Sequence, residues 1–398
     1  MSAISNNTVS FILTPTGLKA LKSGHPWLYE SGIEKQNRQG SSGDIAVLYD
    51  KKRTFAGLGL YDADSPIKVR VLHRGRPAVL DRDFLLEKFR KSADRRNELL
   101  EDGSTTGVRL VHGENDGVAG IVLDRYSGTY VLKLDSACWL PYIEILKDII
   151  IELFTPERII LRMSRSLKNL SEIPDGSVIY GPPVKERVTF SENGILFYAD
   201  PEHGQKTGFF LDQRENRARA GRLARGRDVL NVFSYTGGFS LYAAKGGAKS
   251  VTSLDLSRPA LDEAVKNFEL NKFRCHHGII CGDAFEEMEK LDKDRRRFGL
   301  VIVDPPSFAR KQSDAVSAVK AYEKLNRLAV KLVEKNGVLA AASCSARVTE
   351  EDFFAAVIRA VKSTGRKFEE LERTAHAVDH PVGFPEGAYL KCIFIKIF

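Results

Sequence analysis

"RDVLNVFSYTGGFSLYAAKGGAKSVTSLDLS", residues 227–257, changes its hydrophobic period twice. "RDVLNVFS" is a short apolar run of strand type. "TGGFSLYAAKGGA" opens on glycines and continues in helix-forming residues, and "SVTSLDLS" returns to a strand. Strand, glycine turn, helix and strand in about 30 residues make a βαβ unit, which places both strands in one parallel sheet. The same alternation continues through "RPALDEAVKNFELNKF", a helix with proline near its start, and "GLVIVDPP", an apolar strand. "YEKLNRLAVKLVEKNG" reads as a helix ended by glycine, "GVLAAASCS" as the next strand and "AYLKCIFIKIF" as the last. The chain over 191–398 is therefore expected to form an α/β, Rossmann-like, mostly parallel sheet covered on both faces by helices.

Upstream the pattern differs. Residues 1–75 hold short apolar stretches such as "VSFILTPTG", "GDIAVLYD" and "IKVRVLH" between turn signals, which predicts a small β-rich module. Residues 76–190 mix a helical stretch, "RDFLLEKFRKSADRRNELLE", with strands and a second helix, "WLPYIEILKDIIIELF", as a middle α+β domain. "GENDG" within it reads as a tight turn, since it lacks the twelve-residue ligand spacing of a calcium loop. A length of 398 residues accommodates three such domains.

Composition narrows the setting. Five scattered cysteines give neither a disulfide framework nor a paired metal site, and no leader or membrane-spanning run stands out, so a cytoplasmic protein without a metal is expected. A net charge of +8 points to a polyanionic partner. The densest basic run, "RENRARAGRLARGR" at 214–227, has six arginines and one acid, and reads either as a solvated helix face or as a phosphate-contacting surface.

In such a sheet ligands bind outside the carboxyl ends of the strands. Gly237 and Gly238 would let backbone approach a ligand there, although the absence of GxGxxG disfavours a nicotinamide cofactor. Asp255, ending the following strand, suits ribose hydroxyls. Asp283 in "CGDAF" suits an adenine edge or, equally, a helix N-cap. "VIVDPPSF", residues 301–308, offers the Asp304 carboxylate on a loop stiffened by Pro305 and Pro306, with the Phe308 ring nearby. The alternative is plain turn chemistry. Cys344 in "SCS" ends the next strand, so it should emerge beside Asp304 as a reachable thiol, unless it is inert core.

Together "NVFSYTGGFS", "LDLS", "VIVDPPSF", "SCS" and "DHPVGFPEGAYLK" resemble class I S-adenosylmethionine-dependent RNA methyltransferases, most closely the bacterial large-subunit rRNA cytosine-C5 methyltransferase I family. "HGQKTGFFLDQRENR", residues 203–217, is similar to that family's segment before the first sheet strand, and "HPWLYESGI" resembles its N-terminal PUA domain, an RNA-binding β-barrel. The likeness covers nearly the whole chain in order. It implies S-adenosyl-L-methionine as cofactor, with Phe233, Ser234, Tyr235, Thr236 and Gly237 around its methionine part, Asp255 at the ribose and Asp283 at the adenine. Lys206, Thr207, Gly208, Asp212 and Arg214 would close the pocket. Asp304 would hold the cytosine edge, with Pro305, Pro306 and Phe308 lining the base site, and Cys344 would attack C6.

Many RNA cytosine-C5 enzymes carry a second cysteine after the prolines, where this chain has Ser307, as the resembled family has one cysteine only. The base that removes the C5 proton is left open. His380 is a candidate, with loop capping the plainer reading. The partner implied is large-subunit ribosomal RNA, naked or in a particle, and the oligomeric state, a homodimer included, is not written in these motifs. Two other readings keep the fold: methylation of a purine nitrogen, for which Cys344 would be dispensable, and an inactive RNA-binding assembly factor.

Overall fold

The computed structural model describes residues 7–309 and 311–398. Two compact units account for them. The first holds the chain up to Ser191 together with Ala199–Leu211 and Val378–Gly387; the second holds Glu192–Tyr198, Asp212–Ala377 and Ala388–Phe398.

In the first unit a six-stranded sheet runs in the order Trp27–Tyr29, Ile67–Arg74, Phe55–Tyr61, Ile45–Tyr49, Thr8–Leu13, Ile33–Gln36. A five-stranded sheet follows in the order Val178–Tyr180, Arg158–Met163, Thr129–Leu134, Ile121–Tyr126, Gly107–His112. The modules read from sequence as 1–75 and 76–190 share a core: Leu58, Leu60 and Leu72 belong to the same buried cluster as Phe89, Leu132, Trp139 and Ile149. Periodicity shows which face of each sheet is apolar, and only packing shows that the two faces are joined.

Two stretches expected with the C-terminal domain belong to this unit instead. Arg162 Nη1 donates to the Pro201 carbonyl at 3.0 Å, and the Arg109 amide donates to Asp379 Oδ2 at 2.9 Å. "GENDG" forms a short 3-10 turn, Gly113–Asp116, with Gly117 in the left-handed region at φ 73°. Its Asp116 carboxylate pairs with Arg96 at 2.7 Å, both side chains almost fully buried.

The second unit is built on seven strands: β1 Asp228–Val232, β2 Ser250–Asp255, β3 His276–Cys281, β4 Phe298–Val303, β5 Val333–Ser343, β6 Phe368–Thr374 and β7 Lys391–Ile397. Their order is β3-β2-β1-β4-β5-β7-β6. All neighbours are parallel except β7, which runs antiparallel to β5 and β6. Since β1 pairs with β2 on one side and β4 on the other, the connections reverse direction there, and the crevice between the ends of β1 and β4 is the expected ligand position.

Six helices complete the unit: α1 Arg214–Leu223, α2 Gly238–Lys245, α3 Arg258–Asn271, α4 Ala284–Lys293, α5 Ala315–Leu332 and α6 Glu350–Ser363. Tyr322, Leu325, Phe353, Val357, Ile393 and Ile395 form a dry core of α5 and α6 on the sheet. Each apolar member contributes roughly 1.5–3 kcal/mol on burial. The helix expected to end at a glycine stops instead at Leu332, and β5 starts at Val333. Gly337 lies within the strand, where a Cβ would come within 2.7 Å of Val333 Cγ1 and 3.1 Å of the Gly299 carbonyl. Close packing, not a cap, requires that glycine. No helix among the described residues is long and apolar enough to cross a membrane.

His277 on β3 makes the second unit sensitive to acid. Its ring stacks on Phe268 with centroids 3.7 Å apart, and Nε2 lies 2.8 Å from Ser253 Oγ. Burial, reinforced by neighbouring His276, lowers its pKa to about 4. The unfolded chain takes up this proton near pH 6.5 and the native state only near 4, so stability is full above 6.5 and falls as pH drops through that window. The half-buried ring warrants a loss of about 1–2 kcal/mol at pH 4. Thermal denaturation from pH 7 to pH 4 should show His277→Gln losing less stability over that interval than the parent chain.

Candidate active site

The chain leaves β1 through a tightly wound turn. Phe233, Tyr235 and Gly237 take left-handed φ values of 61°, 48° and 83°. Such a conformation is costly for the two aromatic residues and persists only where surrounding bonds enforce it. Here the Ser234 amide donates to the Leu254 carbonyl at 3.0 Å, and the Tyr235 amide donates to Asp255 Oδ2 at 2.8 Å. Asp255 Oδ1 accepts from the Ser257 amide at 2.8 Å. The Thr236 carbonyl accepts from Asn267 Nδ2 at 3.0 Å. The end of β2 therefore holds the loop of β1 in shape.

Both glycines are needed for packing. A Cβ on Gly237 would lie 3.0 Å from Ala264 Cβ, and one on Gly238 would lie 3.0 Å from Arg217 Cδ. Their close neighbours within the fold are the side chains of Ala264 and Arg217. Asp283 is exposed and caps α4, accepting from the amides of Phe285 at 2.9 Å and Glu286 at 3.2 Å.

The ends of β4 and β5 meet as expected. Their register pairs Val303 with Ala341, so Asp304 and Cys344 leave adjacent strands at the same edge. Cys344 is half-buried, with Sγ 3.8 Å from the Pro305 carbonyl. Pro305 is buried and Pro306 exposed. Asp304 Oδ2 accepts a 3.0 Å hydrogen bond from Gln213 Nε2. The Phe308 ring packs 4.9 Å from Tyr322, and the Ser307 hydroxyl donates to the Ala309 carbonyl at 3.0 Å.

The serines flanking Cys344 are fully buried. Ser343 Oγ donates to the Tyr322 hydroxyl at 2.9 Å and accepts from the Ser345 amide at 3.3 Å. Burial pushes the Tyr322 phenol up to about 12, with the charges of Cys344 and Asp304 acting in the same direction. Tyr322 therefore stays a neutral strut. By contrast Cys138 and Cys392 are fully buried, and burial pushes both thiols up, Cys138 to about 12. Cys344 instead leaves its strand beside the Asp304 loop, half-buried.

The remaining predicted residues fall in both units. In the first, Lys206 Nζ lies 4.6 Å from the Phe210 ring centroid. Thr207 is fully buried, its hydroxyl donating to Asp124 and lying 3.0 Å from the Tyr126 hydroxyl. Gly208 has φ 124°, with its Cβ position 2.9 Å from the Asp200 carbonyl group. In the second, Asp212 Oδ2 accepts from the Tyr389 hydroxyl at 2.7 Å. Arg214 is 1% exposed, its Nε 3.6 Å from Glu192 Oε2. Thr207 and Arg214 are thus built into the interior.

The basic run at 214–227 divides: Arg222 and Arg225 are exposed, while others are drawn inward. Arg217 is 2% exposed and grips Glu192 through Nε at 2.9 Å and Nη2 at 2.7 Å, while Arg219 pairs with Glu372 at 2.7 Å. Two of its arginines are core ions, neither solvated nor free for phosphate. His380 lies in the first unit, 2% exposed, with Nδ1 2.8 Å from Asp379 Oδ1 and its ring 4.9 Å from that of His112.

Sequence reasoning missed Gln213, Tyr322 and Lys391. Lys391 had a visible signal, a single charge opening the apolar run "KCIFI", and it is 4% exposed in the structure. Gln213 had none, because its contact with Asp304 is made across 91 positions of sequence.

Residues 171–388 match the model of the S-adenosylmethionine-dependent methyltransferase family, and residues 11–74 match a PUA-like domain. The ribosomal RNA large subunit methyltransferase of Deinococcus radiodurans is 42% identical, over 95% of this chain and 94% of its own. Ribosomal RNA large subunit methyltransferase I of Aliivibrio fischeri is 35% identical, over 96% and 98%. A crystal structure of a candidate methyltransferase complexed with SAH shares the fold at TM-score 0.85 and 24% identity, covering 97% of this chain and 99% of that one.

The ends of β1 and β2 fit such a cofactor: the Ser234 hydroxyl is buried without a hydrogen-bond partner, and the Asp255 carboxylate stands half-exposed beside it as an acceptor. By sequence, fold and site this chain belongs to the S-adenosylmethionine-dependent methyltransferase family, alongside the ribosomal RNA large subunit methyltransferases and with a PUA-like domain at its N-terminal end.

Proposed function

We propose that this protein methylates C5 of a cytosine in large-subunit ribosomal RNA, using Cys344 as the nucleophile at C6. The observation that carries the reading is the half-buried Cys344 thiol on the strand next to the Asp304-Pro305-Pro306 loop. The names of the relatives supply the substrate class, and a net charge of +8 is in keeping with a polyanion.

C5 of cytosine is a poor nucleophile. Addition of the Cys344 thiolate forms an S–C6 bond and moves the C5=C6 electron pair onto C5 as an enamine. Bound S-adenosylmethionine supplies an electrophilic methyl group. Asp304, oriented by Gln213, accepts from the protonated N3 edge of the base and favours the addition. Loss of the C5 proton then restores the C5=C6 bond as the S–C6 bond breaks, returning the thiolate. The base must be turned out of its stack to reach the thiol, with Pro306 and Phe308 beside it.

Phe233 to Gly237 would surround the methionine part of the cofactor, Asp255 would accept from the ribose hydroxyls, and Asp283 would face the adenine. The test is to incubate the protein with large-subunit ribosomal RNA and methyl-labelled S-adenosylmethionine, then digest to nucleosides. Label in 5-methylcytidine is expected. Label in an N-methylated purine would overturn the reading in favour of nitrogen chemistry on the same Asp-Pro-Pro loop.

A further inference from the structure

A thiol at ordinary pKa is mostly protonated near neutrality, so a nucleophilic Cys344 needs a group that favours its thiolate. No histidine adjoins it in sequence. Across β5 and β7 the register places Lys391 opposite Ser343, one residue before Cys344. The Lys391 side chain runs inward, and its Nζ donates to the Ser345 carbonyl at 2.5 Å and the Val348 carbonyl at 2.8 Å. Two of its three N–H donors are thus spent on the loop that leaves Cys344. A buried ammonium is costly, and neutral donors could satisfy two carbonyls without that cost.

We propose that Lys391 is a positioning residue that ties down the loop after Cys344 and places a buried positive charge beside it, holding the thiol as thiolate for attack on the base. The proposal rests on Cys344 being the nucleophile and names the group that prepares it.

Asp304 from the β4 loop and Tyr322 from α5 face Cys344, and Tyr322 is neutral. Glu350, at the start of α6, acts on Lys391 together with Cys344, both favouring its charged form. Burial opposes them and lowers the Lys391 pKa to about 8, so the ammonium is still present at neutral pH. Cys392, the neighbour on β7, is a fully buried neutral thiol. Asp304 raises the cost of a thiolate and Lys391 offsets it, so removing Lys391 disfavours the thiolate. The proton released from Cys344 passes to solvent before the base is bound.

The test reads the thiol directly. In a Cys275→Ser/Cys281→Ser background, the rate of iodoacetamide labelling of Cys344 is followed by peptide mass spectrometry from pH 5.5 to 10. Lys391→Met should move the midpoint upward by about one unit or more and slow labelling at pH 7 about tenfold. Lys391→Arg, which keeps the charge, should restore most of it. Glu350→Gln, at the exposed end of α6, removes a charge that favours the Lys391 ammonium and should shift the midpoint slightly upward, which keeps the idea open to refutation if Lys391→Met does not fold. An unmoved midpoint in folded Lys391→Met, or in Glu350→Gln where Lys391→Met does not fold, would reduce Lys391 to a structural tether and overturn the proposal. Because labelling needs neither RNA nor cofactor, its outcome is independent of whether Cys344→Ala abolishes methyl transfer.

Discussion

Cys344→Ala and Cys344→Ser are expected to abolish methyl transfer to RNA, by on the order of 10⁴-fold or more, because without the S–C6 bond C5 gains no nucleophilic character. Cofactor affinity should stay within a few fold, since the β1 turn and Asp255 lie on other strands. Stability should change by less than about 1 kcal/mol, as the side chain is half-buried and small. RNA carrying 5-fluorocytidine at the target gives a sharper readout, because fluorine at C5 cannot be lost as a proton and the adduct persists. The parent chain should form an RNA complex that survives denaturation, and Cys344→Ser should form none. Near-normal turnover in both variants would make Cys344 a packing residue and bring purine nitrogen methylation forward.

The second large effect concerns folding. Glu192 is fully buried between Arg214 and Arg217, and accepts 2.9 and 2.7 Å hydrogen bonds from Arg217. Replacing it by alanine removes the carboxylate that two buried guanidinium groups share. The expected cost is about 3–5 kcal/mol, or a fall of roughly 10 °C in the melting temperature of the second unit. Thermal denaturation of Glu192→Ala measures it. Replacing the three side chains together by apolar ones of similar volume should recover much of the loss, since the desolvation cost of the ions disappears with them. A Glu192→Ala protein that melts with the parent would show that water or another group satisfies the arginines.

The two predictions mark opposite ends of what sequence reading reaches. The order of strands and helices in the second unit, and the adjacency of Asp304 and Cys344, follow from local features: apolar runs, glycine and proline punctuation, and the rule that successive parallel strands lie together. The chain writes these within windows of a few residues. The glycine turn read after the first strand lies at the end of β1, and only the packed fold sets Ala264 and Arg217 against its glycines.

The arginines of 214–227 show where local reading ends. On a helix they resemble any solvated basic face, and only Glu192, which the fold brings against Arg214 and Arg217, makes those two core ions. The division into domains was decided in the same way, by Leu58 and Leu72 sharing a core with Trp139. Lys391 joins Cys344 through a β5–β7 pairing of residues 48 apart for the neighbouring Ser343. Periodicity carries the identity and direction of each element, because backbone hydrogen bonding is local in helices and regular in strands. Partners for buried charge come from anywhere in the chain, and so they are settled only when the elements pack.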